Sequence, residues 1–236
     1  RQAAGAVISY LRETHKTTLD HIRKIEAFHG TRYMQLDQTT QQSLELVRTM
    51  RTGRREGSLL HVLDDTITTM GARLLRLWVL TPLRGPEEIE VRLDAVEELM
   101  MRPRLRERLR ELLRRVSDIE RLTTRISCNR ANARDLVSLR QSLEVVPEVA
   151  DALEGVKCGA LAELRVQIDP VPEACGAIGA AIVPDPPVNV RQGDIIQDGY
   201  SQELDELRYI SKHGKNWIAQ FEQQEAERTE IPSLKV

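Results

Sequence analysis

The chain has 236 residues, enough for one large or two modest domains with an ample apolar core. Aromatic residues make up only 3% of it and Leu, Arg and Glu dominate, a balance that favours helices over sheets. Charged residues make up 30%, yet the formal net charge is -2, so the overall charge gives no support to DNA binding and leaves room only for a local basic patch.

The cysteine spacing and the lengths of the apolar runs indicate in which cellular compartment the protein works. Cys128, Cys158 and Cys175 have no C-x-x-C spacing and no compact His/Cys cluster around them, which favours reduced thiols in a cytoplasmic protein. The sequence has no run of about 18 apolar residues, so we expect no membrane span. It has no recognisable signal peptide and begins at Arg1 rather than Met, so we expect an internal fragment or a processed chain.

The beginning of the chain predicts short helices between polar segments. Residues 3–13 have apolar side chains at helical spacing, and residues 14–35 are polar and mixed. Asp37 is the expected N-cap of the next helix, which Gly53 and Gly57 end. The side chains expected to face inward from that helix are Leu44, Val47 and Met50.

Residues 58–83 are the most informative stretch of the chain. Ser58 is expected to cap a short helical turn, and a Thr-rich break then leads into a helix over Met70–Leu80 that Pro82 stops. The residues expected to pack on one side here are Leu74, Leu75, Leu77, Trp78 and Leu83. The Thr66–Ala72 break has one glycine, too few to aim several amides at an anion, so threonine caps and close packing at that glycine are favoured over a phosphate loop.

Catalytic motifs are absent from the sequence. It contains no G-x-x-x-x-G-K-[ST], H-E-x-x-H or G-x-S-x-G pattern, and Gly214-Lys215 lacks the earlier glycine of a P-loop. Asp64 and Asp65 are adjacent and point in different directions at a helix end, so a capping or solvated role is favoured over a metal pair. We therefore expect a chain that is not an enzyme and holds no cofactor or metal.

Proline and capping signals predict four further helices. Gly85-Pro86-Glu87-Glu88 is a strong helix start, and Pro103 separates that helix from the next. Ser117-Asp-Ile-Glu120 fits a capping box, with the serine as the structural N-cap. A helix opening at Asn132 is expected to bend or restart at Pro147. The apolar stripes of the first two helices are Ile89, Leu93, Val96 and Met100, then Leu105, Leu109, Leu112 and Val116.

An Arg-rich run is the one local nucleic-acid signal. Its members are Arg102, Arg104, Arg106, Arg108, Arg110, Arg114 and Arg115. The run has no aromatic residues for base stacking, and Glu107 and Glu111 are local partners, so a solvated helix face is the favoured interpretation. The alternative is a basic contact surface for phosphate or for an acidic protein partner.

The last quarter of the chain predicts a linker and a long helix. The pattern weakens between Cys158 and Val183, and Pro184-Asp-Pro-Pro187 is the clearest boundary in the chain. Ser201 is expected to cap a polar helix that reaches about Arg228, with a narrow apolar seam suited to pairing with one other helix. Residues 231–236 look like the start of a strand. The predicted fold is all-α: a multi-helix bundle with a long projecting helix and a short terminal β-strand.

Three blocks of motifs are more specific than any of these patterns. The first includes Leu36-Asp37, Gly57-Ser58-Leu59-Leu60 and Met70-Gly71-Ala72-Arg73-Leu74-Leu75 through Pro82-Leu83. The second includes Arg92-Leu93-Asp94-Ala95-Val96-Glu97, Asp118-Ile119-Glu120-Arg121 and Arg134-Asp135-Leu136. The third includes Asp198-Gly199-Tyr200, Glu203-Leu204-Asp205-Glu206-Leu207-Arg208 and Ser233-Leu234-Lys235-Val236. In this order the blocks resemble the core segment of the bacterial-type MutS family of DNA mismatch-repair ATPases, over most of the chain.

The resemblance implies a division of labour along the chain. Residues 1–187 would form the family's core or lever domain, and residues 188–236 would open its clamp domain. In the family, the clamps of two subunits close over mismatched duplex DNA and touch its backbone, and Lys235 is the candidate nucleic-acid contact here. The lever helices connect this clamp to a distant ATPase that uses ATP and Mg. The resemblance further implies a homodimeric parent protein with a MutL-type repair partner.

The chain also departs from the family's full pattern. The mismatch-reading Phe-x-Glu domain and the Walker ATPase are not in it, the clamp ends near its first strand, and the helix that returns from the clamp through the core is missing. The apolar positions that this helix would cover are therefore expected to be exposed. The alternative from another class is a stand-alone helical scaffold that binds a protein partner through the helix at 201–228.

Overall fold

A computed structural model describes residues 2–15, 22 and 30–229 of the chain. Within these ranges the chain forms eleven α-helices, one short 3-10 helix and no β-sheet. The α-helices are α1 (Gln2–His15), α2 (Gln38–Ser43), α3 (Leu59–Leu63), α4 (Thr69–Leu80), α5 (Pro86–Met101), α6 (Pro103–Arg114), α7 (Ile119–Ser127), α8 (Ala133–Ala152), α9 (Gly159–Gln167), α10 (Pro172–Ala181) and α11 (Gln202–Thr229). The mostly helical class is confirmed, whereas the strand expected at 231–236 and Lys235 lie outside the described residues.

Side-chain caps begin several of the helices. Asp37 accepts a hydrogen bond from the Thr40 N–H (2.7 Å) at the start of α2, and this bond lowers the pKa of its carboxyl group. Ser58, which is fully buried, accepts from the His61 N–H at the start of α3 (3.3 Å). Because the first N–H groups of a helix have no partner within it, these oxygens fix where each helix begins.

The helix after Asp37 is much shorter than expected. It ends at Ser43, because Glu45 adopts a left-handed backbone conformation (φ 49°) that a right-handed helix cannot continue. Leu44 and Met50, expected to face inward, are 56% and 68% exposed. Leu46, to which no inward role was assigned, is buried instead.

One further N-cap prediction differs from the structure, and of the two outcomes expected at Pro147, a bend or a restart, the restart does not occur. The N-cap of α7 is Asp118 and not Ser117, because the Asp118 carboxylate accepts the Arg121 N–H (3.2 Å). The Ser117 N–H donates to the buried Ser142 hydroxyl (2.9 Å), so this residue ties the start of α7 to α8 without capping it. Helix α8 runs through Pro147 without restarting.

The chain divides into two compact units. Unit 1 comprises residues 1–131 and 138–172, and its most deeply buried apolar side chains are Leu112 and Val145. Unit 2 comprises residues 132–137 and 173–236. Its core is formed by Ala133, Val137 and Ile182, with Leu136, Ile178, Ala181, Ile195 and Ile196 packed against them. The predicted boundary between core and clamp, at 187/188, stays a prediction.

No helix of the described ranges is both long enough and apolar enough to span a membrane.

Candidate functional site

A charged contact joins α4 to the start of α7. Arg73 forms two parallel hydrogen bonds with Asp118, from Nη1 to Oδ2 and from Nη2 to Oδ1, both of 2.8 Å. Its Nε and Nη2 also donate to Glu120. The Thr69 hydroxyl donates to Asp118 Oδ2 (3.0 Å). We call Thr69, Arg73, Asp118 and Glu120 the α4–α7 latch.

The electrostatics of the latch follow from this geometry. Hydrogen bonding by Arg73 holds the pKa of Asp118 well below its usual range, and the two carboxylates raise the pKa of Arg73. Two parallel bonds between a planar guanidinium and a carboxylate fix orientation as well as distance. Since Asp118 is also the N-cap of α7, the same carboxylate begins one helix and holds another.

A second carboxylate joins α5 to α9. Glu98 of α5 accepts hydrogen bonds from the N–H groups of Lys157 (2.9 Å) and Cys158 (2.6 Å), directly before α9 begins. These backbone bonds lower the pKa of Glu98, and Arg102 forms an ion pair with it at 3.0 Å. A negative charge at a helix N-terminus also interacts favourably with the helix dipole. The contact therefore fixes the start of α9 on α5.

Several arginines of the Arg-rich run are already used inside unit 1. Arg108 and Arg115 both form ion pairs with Glu148 of α8, at 3.1 and 2.8 Å. Arg110 lies 3.0 Å from the Asp65 carboxylate and donates to the Asp65 carbonyl oxygen. Within the described part of the chain, no ion pair is formed by Arg104, Arg106 or Arg114. The basic surface available to a partner is therefore smaller than the sequence suggests.

In unit 2, a turn is bonded to the base of α11. Arg208 of α11 donates from Nη1 to Asp198 Oδ1 (2.8 Å) and from Nη2 to the Ile196 carbonyl oxygen (2.9 Å). The Gly199 N–H donates to Asp205 Oδ2 (2.8 Å), and the glycine has a φ of 84°. We call Ile196, Asp198, Gly199, Asp205 and Arg208 the α11 joint.

The segment before this turn is bonded to the end of α10. Gln197 donates from its side chain to the carbonyl oxygens of Gly179 (2.8 Å) and Ile182 (2.9 Å), and from its backbone to that of Ala181 (2.9 Å). The last carbonyl groups of a helix have no partner within it, so Gln197 acts as a C-terminal cap for α10. Residues 195–197 thus connect α10 to the α11 joint.

The predicted packing residues of α4 and of the segment that follows it do not share one environment. Leu83 is buried and Leu75 is half-buried, but Leu74 and Trp78 are 48% and 39% exposed. One face of Trp78 is covered by the Arg92 guanidinium, 3.7 Å from the ring centroid, and burial lowers the pKa of Arg92. The expected tight packing of Leu74 and Trp78 is therefore wrong for the described structure, in which both side chains stay exposed and the Arg92 guanidinium covers one face of Trp78.

The Thr-rich break and the aspartate pair have structural contacts. Thr68 is the N-cap of α4 and accepts the Gly71 N–H (3.0 Å). A Cβ added at Gly71 would lie 3.1 Å from the Thr68 hydroxyl, so close packing at this glycine is confirmed. Asp64 accepts hydrogen bonds from Thr66 and pairs with Arg55. Among the described residues, no group of His, Cys, Asp and Glu is arranged to hold a metal ion.

Arg73, Glu98 and Arg208 were not predicted as important from the sequence. Arg73 and Arg208 lie inside the motifs that carry the family resemblance, as do their partners Asp118 and Asp198. The opposite charges within these motifs are the sequence feature that could have indicated these ion pairs. Which charges pair across 45 residues of sequence depends on how the helices pack, and a single sequence does not give that.

Helices with capped ends, joined by ion pairs between their side chains, define an all-helical module. The family model for MutS domain III matches residues 39–232. The chain belongs to the MutS domain III family, which confirms the resemblance of its motifs.

Three relatives named DNA mismatch repair protein MutS illustrate the similarity. The protein of Symbiobacterium thermophilum is 48% identical over 234 residues, which cover 99% of this chain and 27% of the relative. That of Halothermothrix orenii is 45% identical, over 99% of this chain and 26% of the relative. That of Methanothrix thermoacetophila is 42% identical, over 100% of this chain and 28% of the relative. The chain thus spans about a quarter of the length of these relatives.

Proposed function

We propose that this chain is the helical core, or lever, of a DNA mismatch-repair ATPase, with residues 1–187 as lever and 188–236 as the start of a DNA clamp. The lever would couple a clamp on the DNA backbone to a distant ATPase, and the chain itself would carry no catalytic site. The observation that supports this proposal most strongly is the α4–α7 latch. It links two helices through two parallel hydrogen bonds, made by groups that serve geometry rather than reaction chemistry.

Coupling of this kind needs parts that move as rigid bodies between two arrangements. The latch and the Glu98 contact each fix one helix end to another helix. A displacement applied to α7 therefore reaches α4 without being absorbed by loop movement, and one applied to α5 reaches α9.

The partners follow from the proposed parent protein. They are mismatched duplex DNA, contacted through its backbone by the clamp and by Lys235, together with ATP and Mg in the ATPase domain. The parent protein would be a cytoplasmic homodimer that acts with a MutL-type partner.

The test uses the full-length protein that contains this chain and the variant Arg73→Ala. We expect ATP-triggered release from a mismatched duplex to change about 2- to 30-fold, the range for residues that modulate coupling between sites. ATP hydrolysis without DNA should stay close to that of the unaltered protein. Arg76→Ala is the matched control, because Arg76 is exposed on the same helix and makes no ion pair within the described ranges. A selective loss of hydrolysis in Arg73→Ala would contradict the coupling role.

The stand-alone scaffold is the second candidate, and one observation favours it. Leu207, Ile210 and Ile218 of α11 are 58%, 61% and 44% exposed, as on a helix that pairs with another chain. The reading frame separates the two candidates. A frame that continues into a β-rich clamp and a Walker motif supports the lever, and a stop codon shortly after Val236 supports the scaffold.

A further inference from the structure

Arg208 is a largely buried charged side chain at the base of α11. Its side chain is only 20% exposed, whereas that of its partner Asp198 is 91% exposed. Besides the bond to Asp198 it donates to the Ile196 carbonyl oxygen and lies 3.8 Å from Asp205. One guanidinium therefore contacts the segment before the turn, the turn itself and its own helix.

The turn between these contacts has little stiffness of its own. Gly199 has a φ of 84°, a conformation that glycine adopts without strain and from which it rotates freely. Ser201 supplies only a long capping bond of 3.4 Å to the Leu204 N–H. The turn is also held by the Tyr200 N–H bond to the Gln197 carbonyl oxygen (3.3 Å) and by the Gly199 N–H bond to Asp205 (2.8 Å), but neither bond joins α11 directly to the segment before the turn.

The segment before the turn, which Arg208 contacts through Ile196, is held in place by α10. Ile196 forms an antiparallel bridge with Ile182, and both pack in the core of unit 2. Gln197 is bonded to three carbonyl groups at the end of α10. The Arg208–Ile196 bond is therefore a side-chain connection from α11 to a segment that is itself fixed to α10.

We propose that Arg208 is a positioning residue that fixes the direction in which α11 leaves α10, and that Gly199 becomes a hinge when Arg208 is removed. Helix α11 has 28 residues and is about 42 Å long, so a change of about 10° at its base moves its far end by about 7 Å. A single guanidinium thus controls the position of the far end of the helix. The consequence for DNA release rests on the proposed function, whereas the positioning role does not.

The experiment measures the distance between spin labels on α10 and α11 by double electron–electron resonance. The labels are attached at Ala177→Cys and Gln224→Cys in the full-length protein, with its native cysteines replaced by serine. Labelled protein is diluted with unlabelled protein, so that each distance lies within one chain. We expect a narrow distribution with Arg208 present, and one at least about twice as wide in Arg208→Ala.

Three further variants make the result specific. Arg228→Ala is the matched control, because it removes an ion pair from the same helix (Arg228–Glu225, 2.7 Å) but not from the joint, and should leave the distribution narrow. Arg208→Lys keeps the positive charge but not the planar guanidinium with its several donors, and should give a distance distribution of intermediate width. Asp198→Asn removes one partner of Arg208 at an exposed position, so this variant tests the proposal if Arg208→Ala does not fold. It should broaden the distance distribution less than the loss of Arg208 does.

An unchanged distribution in Arg208→Ala overturns the proposal. If Arg208→Ala does not fold, an unchanged distribution in Asp198→Asn overturns it, and so does equal broadening in Arg228→Ala. ATP-triggered release from mismatched DNA, measured on the same proteins, tests the lever function separately. Broadening with unchanged release supports the positioning role of Arg208 and counts against the lever function.

Discussion

Helices α4 and α5 carry the same kind of apolar stripe as α6 and α8, but with the opposite outcome. Leu112 of α6 and Val145 of α8 are 0% and 1% exposed. Leu74 of α4 and Val96 of α5 are 48% and 53% exposed. Periodicity therefore selects the apolar side of a helix, whereas burial depends on what covers that side. In this chain Leu112 of α6 and Val145 of α8 are covered by neighbouring side chains, whereas many apolar side chains of α4 and α5 are exposed.

The largest expected effect is the difference between two leucine truncations. Leu112→Ala should lower the free energy of unfolding by about 2–5 kcal/mol, because it leaves a cavity at a fully buried site. Leu74→Ala should change it by no more than about 0.5 kcal/mol in the same chain, as exposed sites do. Urea unfolding followed by circular dichroism measures both. Equal losses in the two variants would mean that α4 is covered after all.

Exposure of α4 and α5 also predicts self-association of this chain. Leu77, Leu93 and Met100 are 53%, 54% and 64% exposed, and apolar surface of this kind drives association. Sedimentation velocity should show a sedimentation coefficient that rises with concentration, and Leu77→Glu should reduce the rise. Gln141→Glu, which adds the same charge at an exposed polar position of α8, is the control and should have less effect. A concentration-independent monomer would contradict the prediction.

Acid should weaken the charged contacts before it affects the apolar ones. The pKa of Asp118 is lower in the folded chain than its ordinary value of 3.8, so its contribution to stability is fully present above that value. That contribution is lost as the pH falls from there through the lower folded pKa. Stability measured by urea unfolding should therefore fall below about pH 4, and less steeply in Asp118→Asn. Asp94→Asn, an exposed aspartate of α5, should keep the steep fall; an equally steep fall in Asp118→Asn would count against the latch.

The smallest effect is expected from the arginines that make no ion pair in the described structure. Arg104→Glu, Arg106→Glu and Arg114→Glu combined should leave the salt dependence of duplex binding by the full-length protein unchanged, as expected of a solvated helix face. Binding is measured by fluorescence anisotropy at several salt concentrations. A clearly shallower salt dependence would instead support the basic contact surface.

Local features of the fold could be predicted from the sequence, and long-range ones could not. The caps at Asp37 and Ser58 depend on residues three positions apart, so the sequence carries that information. The choice between Ser117 and Asp118 as N-cap depends on Arg73 and Ser142, which come from other helices. The exposure of Trp78 depends on which elements cover α4, which its own stripe does not encode.

In the candidate site, too, local motifs could be predicted from the sequence and long-range contacts could not. The motifs that hold Arg73, Asp118 and Arg208 could be recognised from the sequence, and with them the family. The pairing of Glu98 with the start of α9 joins residues 60 positions apart, and no local pattern indicates it.

The most direct test of the coupling role is a double-mutant cycle on the α4–α7 latch. Arg73→Ala, Asp118→Asn and the double variant are compared in the full-length protein by the ratio of ATP-triggered release from mismatched DNA to ATP hydrolysis. If the two side chains act as one connection, the double variant should be changed no more than the more affected single variant. Additive changes in the double variant would contradict the coupling role of the latch. Release and hydrolysis that fall together in every variant would contradict it as well.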